Sequence, residues 1–275
     1  MRARSRNADV GAETGFSLLE LLVASFMSIL VVGGMLLMLQ GLEDVHRNTQ
    51  ELIDAQQTAR LSLERMSRDL QLAGVGLASL LPPLPLIVPR TDGGIDIRHN
   101  QGDVTALLAA DMAGPGSSLL VDDAAGFEAG MAVAIYDSSG TLDMVTLTSV
   151  DTVSKLLAHD GSSKAYTVAN GTAVARVLTI SYLLQNIGGV QTLMRQEDTA
   201  SPQPLANHVR SLTFTYYNDA VPPQIFSPLS VADQLRIEAI EIRLEIETED
   251  VRLNTTERPS VTLTTRVMPR ALLLS

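Results

Sequence analysis

The chain has no cysteine and no tryptophan, and its 275 residues include 20 Lys and Arg against 31 Asp and Glu. The absence of cysteine excludes disulfide bonds and thiol chemistry but leaves the cellular compartment open. Nucleic acids are bound through clustered Lys and Arg, and this chain has no such cluster and a formal net charge of -11. The composition therefore argues against direct nucleic-acid binding.

Residues that could carry catalysis or bind metal are scattered. No histidine pair has metal-ligand spacing, so solvated surface histidines are the favoured interpretation of His46, His99, His159 and His208. Two acidic loops lack the EF-hand order and are interpreted as solvated turns, with calcium binding left open. They contain Asp92, Asp96, Asn100 and Asp103, and Asp122, Asp123 and Glu128. No Gly-x-Ser-x-Gly elbow is present. We predict no enzyme activity and no cofactor.

One long apolar run dominates the N-terminal part of the chain. Residues Phe16 to Leu39 would span about 36 Å as an α-helix, enough to cross a bilayer core. Glu20 is the only charge in this run, and a carboxylate inside a membrane span costs about 2.5–3.5 kcal/mol on insertion scales. Glu20 is therefore a candidate functional residue. The alternative is a protonated carboxyl lying among the lipid headgroups.

The charges before the apolar run predict its orientation. Residues 1–15 carry Arg2, Arg4 and Arg6 against Asp9 and Glu13, a net charge of +1. Basic residues stay in the cytoplasm, so the larger C-terminal part is predicted to be exported across the inner membrane as a single-pass protein. A cleaved signal peptide fits poorly because the run is too long and no small-residue site follows it. An uncleaved signal anchor explains the length but not Glu20.

The helix is predicted to continue through Gln40–Ala73, a segment without proline. Its apolar residues recur at helical spacing and predict a face that packs on a soluble domain, because two heptads are too few to favour a coiled coil. They are Val45, Leu52, Ala59, Leu63, Met66, Leu70 and Ala73. Charged residues, Asp69 among them, occupy the remaining surface, with Glu64 and Arg68 as an i,i+4 pair. Gly74 and Gly76 are predicted to end the helix.

After an extended proline-rich connector at 80–89, the chain is predicted to be β-structure throughout. Val, Ile, Leu and Thr form short runs separated by turn residues, and Asn186–Gly189 is predicted as a hairpin turn. Asp92–Asp103 is expected to be a loop or weak hairpin. The predicted strands are Ser118–Val121, Met131–Tyr136, Met144–Val150, Ala173–Leu184, Gln191–Gln196, Val209–Tyr217, Glu238–Thr248 and Val261–Val267.

These elements predict an α+β protein in which a long N-terminal helix packs on an antiparallel β-sheet, with an extra β subdomain. The predicted division is a leader at 1–15, a transmembrane helix at 16–39 and an amphipathic helix at 40–76. Connector and loops follow at 77–116, a possible inserted β subdomain at 117–177 and the main antiparallel sheet at 178–275.

The segment Gly15-Phe-Ser-Leu-Leu-Glu20, followed by its apolar run, resembles the prepilin motif of type IV pilins and type II secretion pseudopilins. The resemblance implies that a prepilin peptidase cuts after Gly15. Phe16 would then be the N-methylated first residue, and Glu20 would pair with the terminal ammonium of a neighbouring subunit and set the assembly register. The implied fold is pilin-like.

Later segments are similar to PilW-type minor pilins, in the same order along the chain. They are Leu63–Gly74, Val209–Asp219, Ile237–Glu247 and Thr265–Arg270. The proline that many major pilins carry midway along the membrane helix is absent, as are their paired cysteines, which implies a low-copy subunit. Gly33–Gly34 is the only obvious soft point in the helix.

The function implied by the resemblance is pilus assembly or priming, supporting adhesion, twitching motility or DNA uptake. The expected partners are the prepilin peptidase, other minor pilins, the major pilin, the inner-membrane assembly platform and the lipid bilayer. Assembly would carry the chain from the inner membrane into the pilus. Two alternatives stay open: a J-type pseudopilin of type II secretion, and a membrane-anchored binding or adhesive module.

Overall fold

The computed structural model describes residues 18–77, 84–218, 220, 224–227, 230–249 and 258–269. Within these ranges the chain forms two α-helices, one 3-10 turn and fifteen β-strands. The helices are α1 (Leu18–Gln71) and α2 (Val231–Gln234), and the 3-10 turn is Val168–Asn170. The strands are β1 (Ile87–Pro89), β2 (Ile95–His99), β3 (Thr105–Leu107), β4 (Leu119–Leu120), β5 (Ala132–Tyr136), β6 (Leu142–Asp151), β7 (Leu156–His159), β8 (Ala173–Arg176), β9 (Leu178–Ile187), β10 (Val190–Glu197), β11 (Gln203–Ala206), β12 (Val209–Asn218), β13 (Ile225–Phe226), β14 (Ile237–Glu247) and β15 (Ser260–Val267).

Helix α1 is continuous for 54 residues, and the chain divides into two compact units between Gln50 and Glu51. In the second unit, Ala59, Leu63, Met66 and Leu70 are buried along one stripe of α1, as predicted. Ala55 is buried with them, and the predicted Leu52 is half-buried. The prediction is wrong for Val45, which is 63% exposed. The helix ends at Gln71, before Ala73 and before the predicted segment boundary at 76, and Gly74 then adopts a φ of 80°, which permits the turn that follows.

Two antiparallel sheets share a core with this second part of α1, so the predicted α+β class is confirmed. One sheet has the strand order β1-β2-β9-β10-β11 and the other β13-β12-β14-β15. The predicted hairpin joins β9 to β10 through Gly188 and Gly189, whose φ values of 61 and 90 suit a tight two-residue turn. In β14, Ile240, Ile242, Leu244 and Ile246 are buried in alternation with charged residues.

A third sheet has its own core and closes on itself. Its order is β3-β8-β5-β6-β7-β4, and an antiparallel bridge between Leu108 and Val121 joins the two edges. Ala109 N donates to Leu120 O at 2.7 Å and Asp122 N to Leu107 O at 2.9 Å across the same seam. Phe127, Tyr166 and other apolar side chains fill the interior. This sheet supplies the additional β-structure that the sequence predicts.

Two strand predictions are corrected. The predicted single strand Ala173–Leu184 is two strands that meet at Val177, because β8 pairs with β3 and β5 whereas β9 pairs with β2 and β10. The segment Asp92–Asp103, predicted as a loop or weak hairpin, contains β2, in which Ile95 and Ile97 are fully buried. Asp96 and Arg98 alternate with these two isoleucines, so the composition of the short segment is that of a polar loop.

Candidate functional site

The first part of α1 exposes an apolar surface on all sides. From Leu18 to Leu39 every residue except Gly33 is exposed, and among the large apolar residues Leu18 is the most exposed, at 87%. An 18-residue window in this helix has a mean hydropathy of 2.4 and no buried residue. Removing such side chains from water stabilises the protein by about 1.5–3 kcal/mol each. This single apolar helix is long enough to serve as a membrane anchor, although a signal sequence has the same character.

Glu20 lies in the first turn of α1 and is the only ionisable residue between Leu18 and Leu42. Its carboxylate is at the end of the helix where the macrodipole is positive, a position that favours negative charge. The two predicted site residues next to it, Gly15 and Phe16, lie outside the described residues. Their roles stay predictions, as does the role of Glu20 in assembly.

Two serines of this apolar segment form hydrogen bonds inside the helix. Ser25 Oγ donates to the carbonyl of Leu21 at 2.8 Å, and Ser28 Oγ donates to that of Ala24 at 2.8 Å. Hydroxyls that bond to their own helix need no partner in lipid. The helix also runs unbroken through Gly33 and Gly34. Glu20 is thus chemically distinct within an otherwise lipid-compatible surface.

The second part of α1 is fixed to the sheets by a buried polar network that the sequence prediction missed. Asp69, placed by the sequence on the charged surface of the helix, is only 3% exposed. Its Oδ2 accepts hydrogen bonds from Tyr182 Oη at 2.6 Å and from Arg195 Nε at 2.7 Å. Tyr182 and Arg195 lie opposite each other on β9 and β10. The one available signal was that Asp69 follows Met66 by three positions and so borders the apolar stripe.

The electrostatics of this network match its burial. Burial and the hydrogen bond to Asp69 both raise the pKa of Tyr182, which keeps its hydroxyl a donor. Burial alone would lower the pKa of Arg195, but its bonds to Asp69 and Glu197 raise it, so the guanidinium stays charged.

On the exposed side of α1, the predicted ion pair between Glu64 and Arg68 is replaced by one between Arg60 and Glu64 at 3.3 Å.

Two of the four histidines are buried, which corrects the prediction that all are solvated. His99 is 2% exposed, and its Nδ1 accepts from Gln101 N at 3.2 Å. His159 is 9% exposed, and its Nε2 lies 2.9 Å from the carbonyl oxygen of Ser117. Within the described ranges, no group of three His, Asp or Glu side chains is placed to hold a metal ion.

The acidic loops hold turns and ion pairs. Arg90 contacts Asp92 at 2.9 Å and Asp96 at 3.2 Å, and the bond to Arg90 lowers the pKa of Asp92. Asp122 Oδ1 accepts from Leu107 N at 2.8 Å, and Asp123 Oδ1 from Ala125 N at 2.9 Å. These carboxylates therefore have partners from the protein itself.

Burial of His99 predicts an acid-sensitive fold. Burial lowers the pKa of His99 against the opposing effects of Glu197, Asp69 and Asp198, while Arg176 lowers it further. The unfolded chain therefore binds this proton more readily, and the stability from neutral His99, complete above about pH 6.5, is lost as the pH falls. We expect His99→Gln to lose less stability than wild type as the pH falls from about 7 to 5. Denaturant titrations of the full chain in detergent check this, with exposed His46→Gln as control; equal pH dependence in both variants would contradict it.

No family model and no curated protein matches this chain. The architecture itself, a long N-terminal apolar helix whose second part packs on antiparallel sheets, is consistent with a pilin-like fold.

Proposed function

We propose that this chain is a minor pilin, a low-copy subunit of a type IV pilus that takes part in assembling or priming the filament. The observation that carries the proposal is the lone carboxylate of Glu20 in the first turn of an exposed apolar helix, which continues into a helix–sheet core. A helix that only anchors the protein in the membrane does not need a charged residue at this position. In a subunit that leaves the lipid and packs against other subunits, the carboxylate of Glu20 can pair with a charge on a neighbouring subunit.

The proposed chemistry begins with cleavage after Gly15 by a prepilin peptidase, which gives Phe16 a new α-ammonium that is then N-methylated. An ammonium and a carboxylate that meet between neighbouring subunits offset each other's cost of burial, whereas either one alone does not. The pair therefore favours one axial stagger of adjacent helices.

The membrane topology follows from charge. Arg2, Arg4 and Arg6 precede the apolar helix and hold the N-terminus in the cytoplasm, which places the β-rich part in the periplasm before assembly. The proposed partners are the prepilin peptidase, the assembly platform, other minor pilins and the major pilin. The chain is a substrate of the peptidase and catalyses no reaction itself.

We expect the chain to be recovered from sheared surface filaments of cells that have a prepilin peptidase, because only the processed chain can leave the bilayer. In cells that lack the peptidase, it should be recovered from the inner membrane alone. Immunoblots of both fractions check this. A chain that reaches the filaments without the peptidase, or that is absent from filaments in both strains, contradicts the proposal.

A further inference from the structure

Strand β15 is an open edge next to helix α1. It is the last strand in the order β13-β12-β14-β15, and among the described residues no strand pairs with its other side. An unpaired edge presents backbone donors and acceptors that can bind another extended chain. Its exposure alternates along the strand, and the inward side chains Leu263 and Thr265 are only half-buried.

The pairing with β14 identifies which backbone groups face this open edge. Thr248 N donates to Pro259 O at 2.8 Å, and Ile246 pairs with Val261 two residues further on. Because backbone groups alternate sides along an antiparallel strand, the odd-numbered residues of β15 bond to β14. The N–H and C=O groups on the open side belong to Thr262, Thr264 and Arg266.

A groove of about 620 Å³ lies between this edge and α1. Leu63 and Leu263 give it an apolar floor, and polar helix residues form its rim. Alternating side chains of an added strand would enter such a groove while its backbone bonded to the edge. This combination of a backbone wall and an apolar floor suits a peptide segment better than a compact ligand.

The rim of the groove is cationic. Arg60 is paired with Glu64, whereas no carboxylate of the described residues lies within ion-pair distance of Arg68. Two arginines against one glutamate leave the rim at +1 on a chain whose net charge is -11. Repulsion between two such acidic chains disfavours a second copy, and the rim favours an acidic segment of another protein.

We propose that an extended segment of a partner subunit adds beside β15 as a further strand, with apolar side chains over Leu63 and Leu263 and a carboxylate at Arg68. This inference rests on the proposed function, since assembly supplies the partner.

Crosslinking in cells tests the inference on the full chain. Because the chain has no cysteine, a photoreactive thiol reagent can be attached at one cysteine introduced as Thr262→Cys or Arg266→Cys. The backbone groups of both residues face the open edge, and the two positions are four residues apart. The Arg266 side chain, which lies over the ring of Tyr217, is removed in the second variant. We expect both to capture one segment of one partner, at attachment points about four residues apart, because paired strands advance residue by residue. Sequencing of the crosslinked peptides gives this register.

A proline placed on the open edge provides the blocking variant. Thr264→Pro removes an outward N–H and leaves pairing to β14 intact, since edge strands tolerate proline on their free side. We expect crosslinking to fall about tenfold, the effect of losing a contact of about 1.4 kcal/mol. Thr264→Val keeps the N–H and should crosslink like wild type. Arg68→Glu should also lower the crosslinking yield. Because Arg68 lies on α1 and not in the sheet, this variant tests the site even if the proline variant misfolds.

The inference is overturned if the reagent captures lipid, a second copy of this chain or residues 270–275 of the same chain. It is also overturned if no protein is captured, or if the attachment points do not follow strand register. Equal crosslinking yields from Thr264→Pro and Thr264→Val would overturn it as well. Sequencing the N-terminus of the chain in the same sample shows whether it has been cleaved, and so distinguishes failure of this inference from failure of the proposed function. A processed chain without the crosslink pattern overturns the inference and leaves the proposed function standing. The crosslink pattern on an unprocessed chain overturns the proposed function and shows that the captured segment belongs to a partner other than a pilus subunit.

Discussion

Replacing Glu20 with alanine is expected to remove the chain from assembled filaments while leaving its membrane insertion and its cleavage intact. The variant lacks the carboxylate that the ammonium of the neighbouring subunit would meet. That ammonium would then enter an apolar environment without a counter-charge, and breaking a buried ion pair in this way costs about 3–5 kcal/mol. A loss of about 3 kcal/mol corresponds to roughly a hundredfold weaker incorporation.

The measurement is the ratio of chain in sheared filaments to chain in the membrane, for wild type and variant expressed at equal levels. Glu43→Ala is the matched control, because Glu43 is the next carboxylate along α1 and lies beyond the apolar run. It should incorporate like wild type. A Glu20→Ala chain that is processed and incorporated at the wild-type ratio would show that Glu20 does not set the assembly register.

Asp69→Ala is expected to destabilise the second unit by about 3–5 kcal/mol, a large part of the roughly 5–15 kcal/mol typical of folded proteins. The substitution leaves the guanidinium of Arg195, whose side chain is 13% exposed, without its nearest counter-charge. It also leaves the hydroxyl of Tyr182 without the acceptor at 2.6 Å. Asp69→Asn keeps an acceptor for Tyr182 and should cost less, because it removes only the charge.

Denaturant unfolding of the full chain in detergent, followed by circular dichroism, measures this loss. Asp54→Ala is the control, since Asp54 is an exposed carboxylate on the same helix. Its effect should stay within about 0.5 kcal/mol, as for ordinary surface substitutions. If Asp69→Ala and Asp54→Ala unfold at the same denaturant concentration, the network does not stabilise the packing of the helix on the sheets.

Local periodicity was sufficient to predict the long helix and much of the β-structure. The buried stripe from Ala59 to Leu70 follows helical spacing, and the alternation in β14 follows the two-residue repeat of a strand. Turn chemistry located the hairpin at Gly188 and Gly189, since the two-residue type I′ turn needs positive φ at both positions.

Long-range pairing was beyond the reach of local patterns. Nothing around Val177 indicates that β8 and β9 belong to different sheets, because the division depends on strands far away in the chain. The same holds for Asp69, whose burial depends on Arg195 more than a hundred residues later. The burial of His99 also depends on distant pairing, because its strand β2 pairs with β9, where Leu178 lies opposite His99.

The candidate site divides in the same way. Glu20 was identified from the sequence alone because a charge inside an apolar run is anomalous without any knowledge of the fold. Gly15 and Phe16 were assigned by resemblance, and both lie outside the described residues. The open edge of β15 required the structure, since the sequence of a strand does not state which of its sides is paired.

The intact mass of the chain purified from membranes and from filaments tests the central claim most directly. The proposed function predicts that the filament form begins at Phe16 with one added methyl group, and that cells without the prepilin peptidase contain only the uncleaved chain. An intact N-terminus in peptidase-containing cells, or cleavage anywhere other than after Gly15, would contradict the assignment of this chain as a pilin subunit.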